Sequence, residues 1–174
     1  MNHLALFKWT DDFSVGIQEI DEQHKMLFEL INRLFLAALK REDHARTLEI
    51  LDTLVDYTKT HFALEERLLD AAGFPGLAEH QQEHLKFVEK MHSMVQKFLV
   101  EERTITFELI NFLKRWLKEH ILETDMAYAA ALAHSGFSTE QWASDARIAV
   151  HTKRHGHAQK HWWKFWSAPS SQTL

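Results

Sequence analysis

The stretch HFALEERLLDAAGFPGLAEHQQEH, residues 61–84, decides the reading of the fold. His61 and Glu65 stand four residues apart, and so do His80 and His84, so on a helix each pair shares one face. Between the pairs lies Gly73-Phe74-Pro75-Gly76, which no helix continues through cheaply. The stretch therefore reads as the end of one helix, a tight turn and the start of the next. In such an antiparallel pair both sets of polar side chains come to the same end.

Working outward, apolar residues recur at helical spacing in four segments. The first is expected from about Ile17 to Leu39, with Ile20, His24, Leu27, Phe28, Ile31, Leu34 and Phe35 in phase. The second runs from about Asp43, a suitable N-cap, to Ala72, with Leu51, Leu54, Val55, Thr58, His61, Phe62, Glu65, Leu68 and Leu69 on one stripe. The third covers about Leu77 to Glu101, turning His80, His84, Phe87, Val88, Met91, Val95 and Phe98 inward. The fourth follows a cap at Thr104 to Thr106, carries Leu109, Phe112, Leu113, Trp116, Leu117 and His120, and fades near Ala133. At 1.5 Å per residue these are helices of about 30 to 45 Å. The expected architecture is all-α, an up-down-up-down four-helix bundle over residues 1–133 with a C-terminal extension, 134–174.

Composition agrees and narrows the function classes. With only 5 Gly and 2 Pro in 174 residues and 45% hydrophobic side chains, helix is favoured over sheet. The chain has no cysteine, which removes disulfides and thiolate metal sites and suits a reducing cytosol, so a cytoplasmic location is expected. Residues 1–125 hold 15 Lys and Arg against 23 Asp and Glu (net −8), whereas 126–174 hold 5 against 2 (net +3). An acidic body argues against nucleic acid as a partner. The N-terminal residues lack a basic region ahead of an apolar run, so they do not read as a signal peptide.

Histidine, at 13, is the anomaly. One histidine on an apolar stripe is ordinarily a hydrogen-bonded core residue. Five such positions, His24, His61, His80, His84 and His120, fall at helix ends that an up-down bundle gathers into one layer. Imidazoles and carboxylates buried together are costly unless a cation holds them. Nitrogen and oxygen donors without thiolate leave zinc, iron, manganese or copper open, and five histidines exceed one tetrahedral zinc site.

From about Trp9 to Tyr128 the chain resembles the bacterial hemerythrins, in the segments SVGIQEIDEQH, HFALEE, EHQQEH and HILETD, taken in family order. The resemblance implies a non-haem centre of two iron ions. His80, His84 and His120 would hold one iron and His24 and His61 the other, with Glu65, Asp125 and an oxo or hydroxo group as bridges. It further implies reversible dioxygen binding at the iron with the open position, for carriage, storage or delivery, and no enzymatic role. The alternatives are a sensing or partner-delivery module, or a di-iron enzyme acting on peroxide or nitric oxide. Leu27, Phe62, Trp116, Leu117 and Ile121 resemble the family's apolar wall around oxygen; spacing alone makes them ordinary core.

Two local questions remain. His120 has Glu123 three residues on and Asp125 five residues on; α-helical spacing favours Glu123, whereas the family pattern favours Asp125, which a π-bulge would help to aim. The extension begins with Ser138 and Gln141 at capping-box spacing, giving a short fifth helix. Beyond it, residues 151–166 mix Trp162, Trp163, Phe165 and Trp166 with Lys160 and Lys164. They read as aromatic packing on the bundle, or as a surface for a protein partner or anionic membrane. His151, His155, His157 and His161 lie in the same tail, and His3, His44 and His92 read as surface residues.

Overall fold

The computed structural model describes residues 5–100 and 107–144. Five α-helices account for most of them: α1, Gln18–Lys40; α2, His44–Ala71; α3, Leu77–Val100; α4, Phe107–Glu119; and α5, Met126–Ser135. A π-helical segment, His120–Asp125, joins α4 to α5 without a break. α1 packs on α2 and α4, and α3 packs on α2 and α4, which closes a four-membered ring of helices. The connections at residues 41–43 and 72–76 are short, so consecutive helices run antiparallel.

The stripes expected from periodicity form the core. Ile20, Leu34, Val55, Leu68 and Leu69 have no measurable exposure, and Leu51, Leu54, Met91 and Ile110 have almost none. Each such side chain contributes about 1.5 to 3 kcal/mol when removed from water.

Helix ends follow their sequence signals. Asp43 caps α2 by accepting a hydrogen bond from the Arg46 N–H at 2.8 Å. Gly73, at φ 63°, adopts the left-handed conformation just past the end of α2. α1 ends on Arg41, a non-glycine residue at φ 54° whose N–H reaches the Ala37 and Ala38 carbonyls.

An N-terminal arm, residues 5–17, lies on the bundle ahead of α1. Phe7 stacks on Phe28 at 3.7 Å between centroids, and its N–H and carbonyl are both bound by the Asn32 side chain. Asp21 reaches back from the first turns of α1, accepting from Ser14 Oγ at 2.6 Å and from the Val15 N–H at 2.8 Å. After α5, Gly136 turns the chain at φ 75° and residues 139–144 are helical, with the Gln141 N–H donating to Ser138 Oγ at 3.3 Å. No helix among the described residues is long and apolar enough to cross a membrane. His3, the cap at Thr104 to Thr106, Glu101 and the tail at residues 151–166 lie outside the described residues.

Candidate metal centre

Three helices, α1, α2 and α3, and the π segment bring His24, His61, Glu65, His80, His84, His120 and Asp125 into one buried layer. All seven are at most 4% exposed, and His24, His61, Glu65 and Asp125 are fully enclosed. Two groups of donors, Glu65 with His80, His84 and His120, and Glu65 with His24 and His61, each have their ligand atoms within 4.8 Å of one another.

The π segment settles which acid accompanies His120. The Met126 N–H bonds back to the Ile121 carbonyl, five residues earlier, so the turn is one residue wider than an α-turn. A five-residue spacing then returns to one face, as four does in an α-helix. Asp125 is carried inward, with Oδ1 3.1 Å from His120 Nε2, while Glu123 is exposed. Asp125 also straddles the layer, since Oδ2 lies 3.4 Å from His24 Nε2 and Oδ1 3.8 Å from His80 Nε2.

Glu65 stands at the centre. Its Oε2 is 3.1 Å from His80 Nε2, 3.3 Å from His84 Nε2, 3.9 Å from His61 Nε2 and 4.0 Å from His120 Nε2. Its other oxygen accepts a 2.6 Å hydrogen bond from the Tyr128 hydroxyl.

The inward-facing atoms are the test of whether these residues fit a cation. His24 Nε2, His61 Nε2 and both Asp125 oxygens are buried and lack a hydrogen-bond partner among the described residues. Orphans of this kind cost about 1–3 kcal/mol each, more for a charge, and do not accumulate in a core without a reason. His84 Nε2 and His120 Nε2 approach to 3.1 Å, which sets two imidazole lone pairs against each other unless a cation or proton lies between.

The titration behaviour says the same. Burial pushes His61 down to about 3, so it is a neutral donor. Burial opposes charge on His120 too, yet Asp125 and Glu65 beside it prevail and push it up to about 10. Burial likewise opposes charge on Glu65, but His61, His120, His80 and His84 hold it well below its ordinary range. Without metal, a proton on His120 supplies the positive charge that the two carboxylates demand. The site fits metal ions.

Three residues that support this layer escaped the sequence reading. Gln23 Oε1 accepts from His61 Nδ1–H at 2.9 Å, and Glu66 Oε1 accepts from His84 Nδ1–H at 2.8 Å. Tyr128 is the third, and burial and the two carboxylates push its hydroxyl well above its ordinary range. Gln23 and Glu66 adjoin His24 and Glu65 in sequence, and Tyr128 follows Asp125 by three; adjacency was the signal, but it does not say which neighbour faces inward. His44 is exposed, as expected; His92 is half-buried.

One helix turn below the histidine layer lies a small cavity, with about 10 Å³ open to the centre of a water-sized molecule. Leu27, Phe62, Trp116 and Leu117 line it, joined by Ile31, Leu54, Thr58, Phe87 and Leu113. The Thr58 hydroxyl is spent on the Leu54 carbonyl at 2.8 Å, which leaves the wall apolar. Ile121 is fully buried but is not among the lining residues. Phe62 stacks on the His84 ring at 3.6 Å and Trp116 on the His120 ring at 4.3 Å, so two wall residues also hold imidazoles in place.

A closed antiparallel bundle with histidines and two carboxylates at one end defines a metal-binding helical bundle of a known kind. Residues 15–132 match the family model of the hemerythrin HHE cation binding domain. The bacteriohemerythrin of Stenotrophomonas maltophilia is 40% identical over 126 residues, covering 72% of this chain and 81% of its own. That of Pseudomonas aeruginosa is 40% identical over 135 residues, covering 78% and 85%. The crystal structure of wild-type hemerythrin superposes with a TM-score of 0.69 at 31% identity, covering 74% of this chain and 98% of that one. The chain belongs to the hemerythrin family and is a di-iron, oxygen-binding protein.

Proposed function

We propose that His80, His84 and His120 hold one iron, His24 and His61 the other, and Glu65 and Asp125 bridge the two, in a protein that carries, stores or delivers dioxygen. The observation that carries this assignment is the set of unpartnered inward atoms on His24, His61 and Asp125. Bound there, two ferrous ions supply the open coordination position and the two electrons that reversible dioxygen binding requires.

The remaining work belongs to the chain. Asp125 turns one oxygen toward His24 and the other toward His80 and His120, the arrangement a bridging carboxylate needs. The Tyr128 hydroxyl fixes the rotation of Glu65. Gln23 and Glu66 keep a proton on Nδ1 of His61 and His84, so that Nε2 of each presents its lone pair inward. Seven wall residues contribute hydrocarbon alone, and the apolar cavity has room for one small neutral molecule beside the histidines. By excluding water beside the histidines, these side chains would protect a bound ferrous centre from oxidation.

Carriage is favoured over enzymatic turnover by the donor set. Five neutral imidazoles and two carboxylates stabilise high-valent iron less well than the carboxylate-rich sites of ferritin-like bundles. The deciding experiment is the visible spectrum of the anaerobically reduced protein before and after exposure to air, with iron content measured on the same sample. An absorption that appears in air and disappears on deoxygenation, at about two irons per chain, supports carriage. Sustained turnover of peroxide or nitric oxide instead would make the protein an enzyme.

A further inference from the structure

The outward-facing nitrogens of the histidine layer are not treated alike. His84 Nδ1–H donates to a carboxylate, Glu66 Oε1, at 2.8 Å, whereas His61 Nδ1–H donates to a neutral amide, Gln23 Oε1, at 2.9 Å. His24 Nδ1 and His80 Nδ1 have no hydrogen-bond partner among the described residues. Glu66 is 28% exposed and its second oxygen accepts from Gln81 Nε2 at 3.2 Å, so its carboxylate sits at the rim without the cost of full burial. The two donor groups also differ in number, four side chains in the group that contains His84 and three in the group that contains His61.

A hydrogen bond to a carboxylate is roughly twice as strong as one between neutral groups, and it raises the electron density at the far nitrogen of the imidazole. His84 Nε2 is therefore a better donor than His61 Nε2. We propose that Glu66 is a positioning residue that makes the Glu65, His80, His84 and His120 subsite the first to take a metal ion and the last to release it, while the His24 and His61 subsite, backed by Gln23, fills second. This rests on the two-metal assignment above. It gives the centre an order of assembly, and it places the readily emptied subsite beneath the N-terminal arm, where the Trp9 ring lies 6.5 Å from that of His24.

The test is an anaerobic titration of the full-length, metal-stripped protein with cobalt(II), followed by calorimetry and by tryptophan fluorescence. Trp116, stacked on His120 at 4.3 Å, reports the first subsite, and the share of quenching that a Trp116→Phe variant loses isolates its signal. Two binding steps are expected, with the Trp116 signal lost in the first equivalent. Glu66→Gln should weaken the first step roughly ten- to hundredfold and the second by less than about threefold. Gln23→Glu should tighten the second step and narrow the gap. A purely structural role for Glu66 would instead lower the melting temperature of the metal-free protein and leave the difference between the steps unchanged, which overturns the proposal. So does Trp116 quenching confined to the second equivalent. Binding of a single cobalt by the unaltered protein would sink the two-metal assignment itself, whereas two ions in the reverse order sink only the order.

Discussion

His120 and Asp125 show how a single residue of extra helix decides the chemistry of a site. Both are buried and 3.1 Å apart, while Glu123, which α-helical spacing prefers, points into solvent. Asp125→Ala should abolish the dinuclear centre, leaving at most one iron per chain, and Glu123→Ala should leave iron content unchanged; metal analysis of the two purified variants decides. Tyr128 is the second residue with a defined task. Tyr128→Phe strands Glu65 Oε1 without its 2.6 Å donor in a fully buried place. The metal-free protein should lose about 1–3 kcal/mol of stability, read from denaturant unfolding, and a loss below about 0.5 kcal/mol would make the bond incidental.

At the scale of elements, α4 and the π segment present two leucine-sized, buried side chains at different addresses. Leu117 lines the cavity; Ile121 is enclosed elsewhere in the core. Truncation of either to alanine should cost about 2–5 kcal/mol. Only Leu117→Ala should speed autoxidation of the oxygenated protein several-fold, because only it opens the space beside the histidines. Equal acceleration in Ile121→Ala would return Ile121 to the oxygen wall, where the family resemblance puts it. The end of α1 offers an independent test: Arg41 sits at φ 54°, where a side chain is strained. Arg41→Gly should raise stability by about 1 kcal/mol without altering iron content, and an unchanged or lower melting temperature would mean that Arg41 is not strained there.

For the whole molecule, the metal layer and the rest of the fold are linked through protons. In the metal-free protein His61 is held at about 3 against an ordinary 6.5; the unfolded chain binds the extra proton, so stability falls as the pH drops from 6.5 toward 3. His120 is raised to about 10, so its contribution is full below 6.5 and is lost as the pH rises toward 10. Together these two groups place the stability maximum of the metal-free protein near pH 6.5. Iron binding requires the same donors unprotonated, so loading should raise the melting temperature and move its maximum to higher pH. Melting curves across pH, with and without iron, check both; an iron-independent optimum would uncouple the layer from folding.

The sequence by itself determined the four helices, because a 3.6-residue apolar rhythm needs no knowledge of neighbours and Gly73, Pro75 and Gly76 end it locally. It also determined that His24, His61, Glu65, His80, His84 and His120 meet, because antiparallel helices of similar length can place those positions only at one end. Tertiary structure alone decided the rest. Whether Glu123 or Asp125 turns inward depends on the hydrogen-bond pattern of one turn, and the π pairing holds where the buried layer draws Asp125 inward. Gln23, Glu66 and Tyr128 found their roles only through distance, since a residue beside a buried histidine in sequence faces it, or solvent, according to the helix packed against it. Ile121, adjacent to His120 in the chain but absent from the cavity wall, makes the same point from the other side: sequence neighbours share a helix, but a wall is shared by the four helices that enclose it.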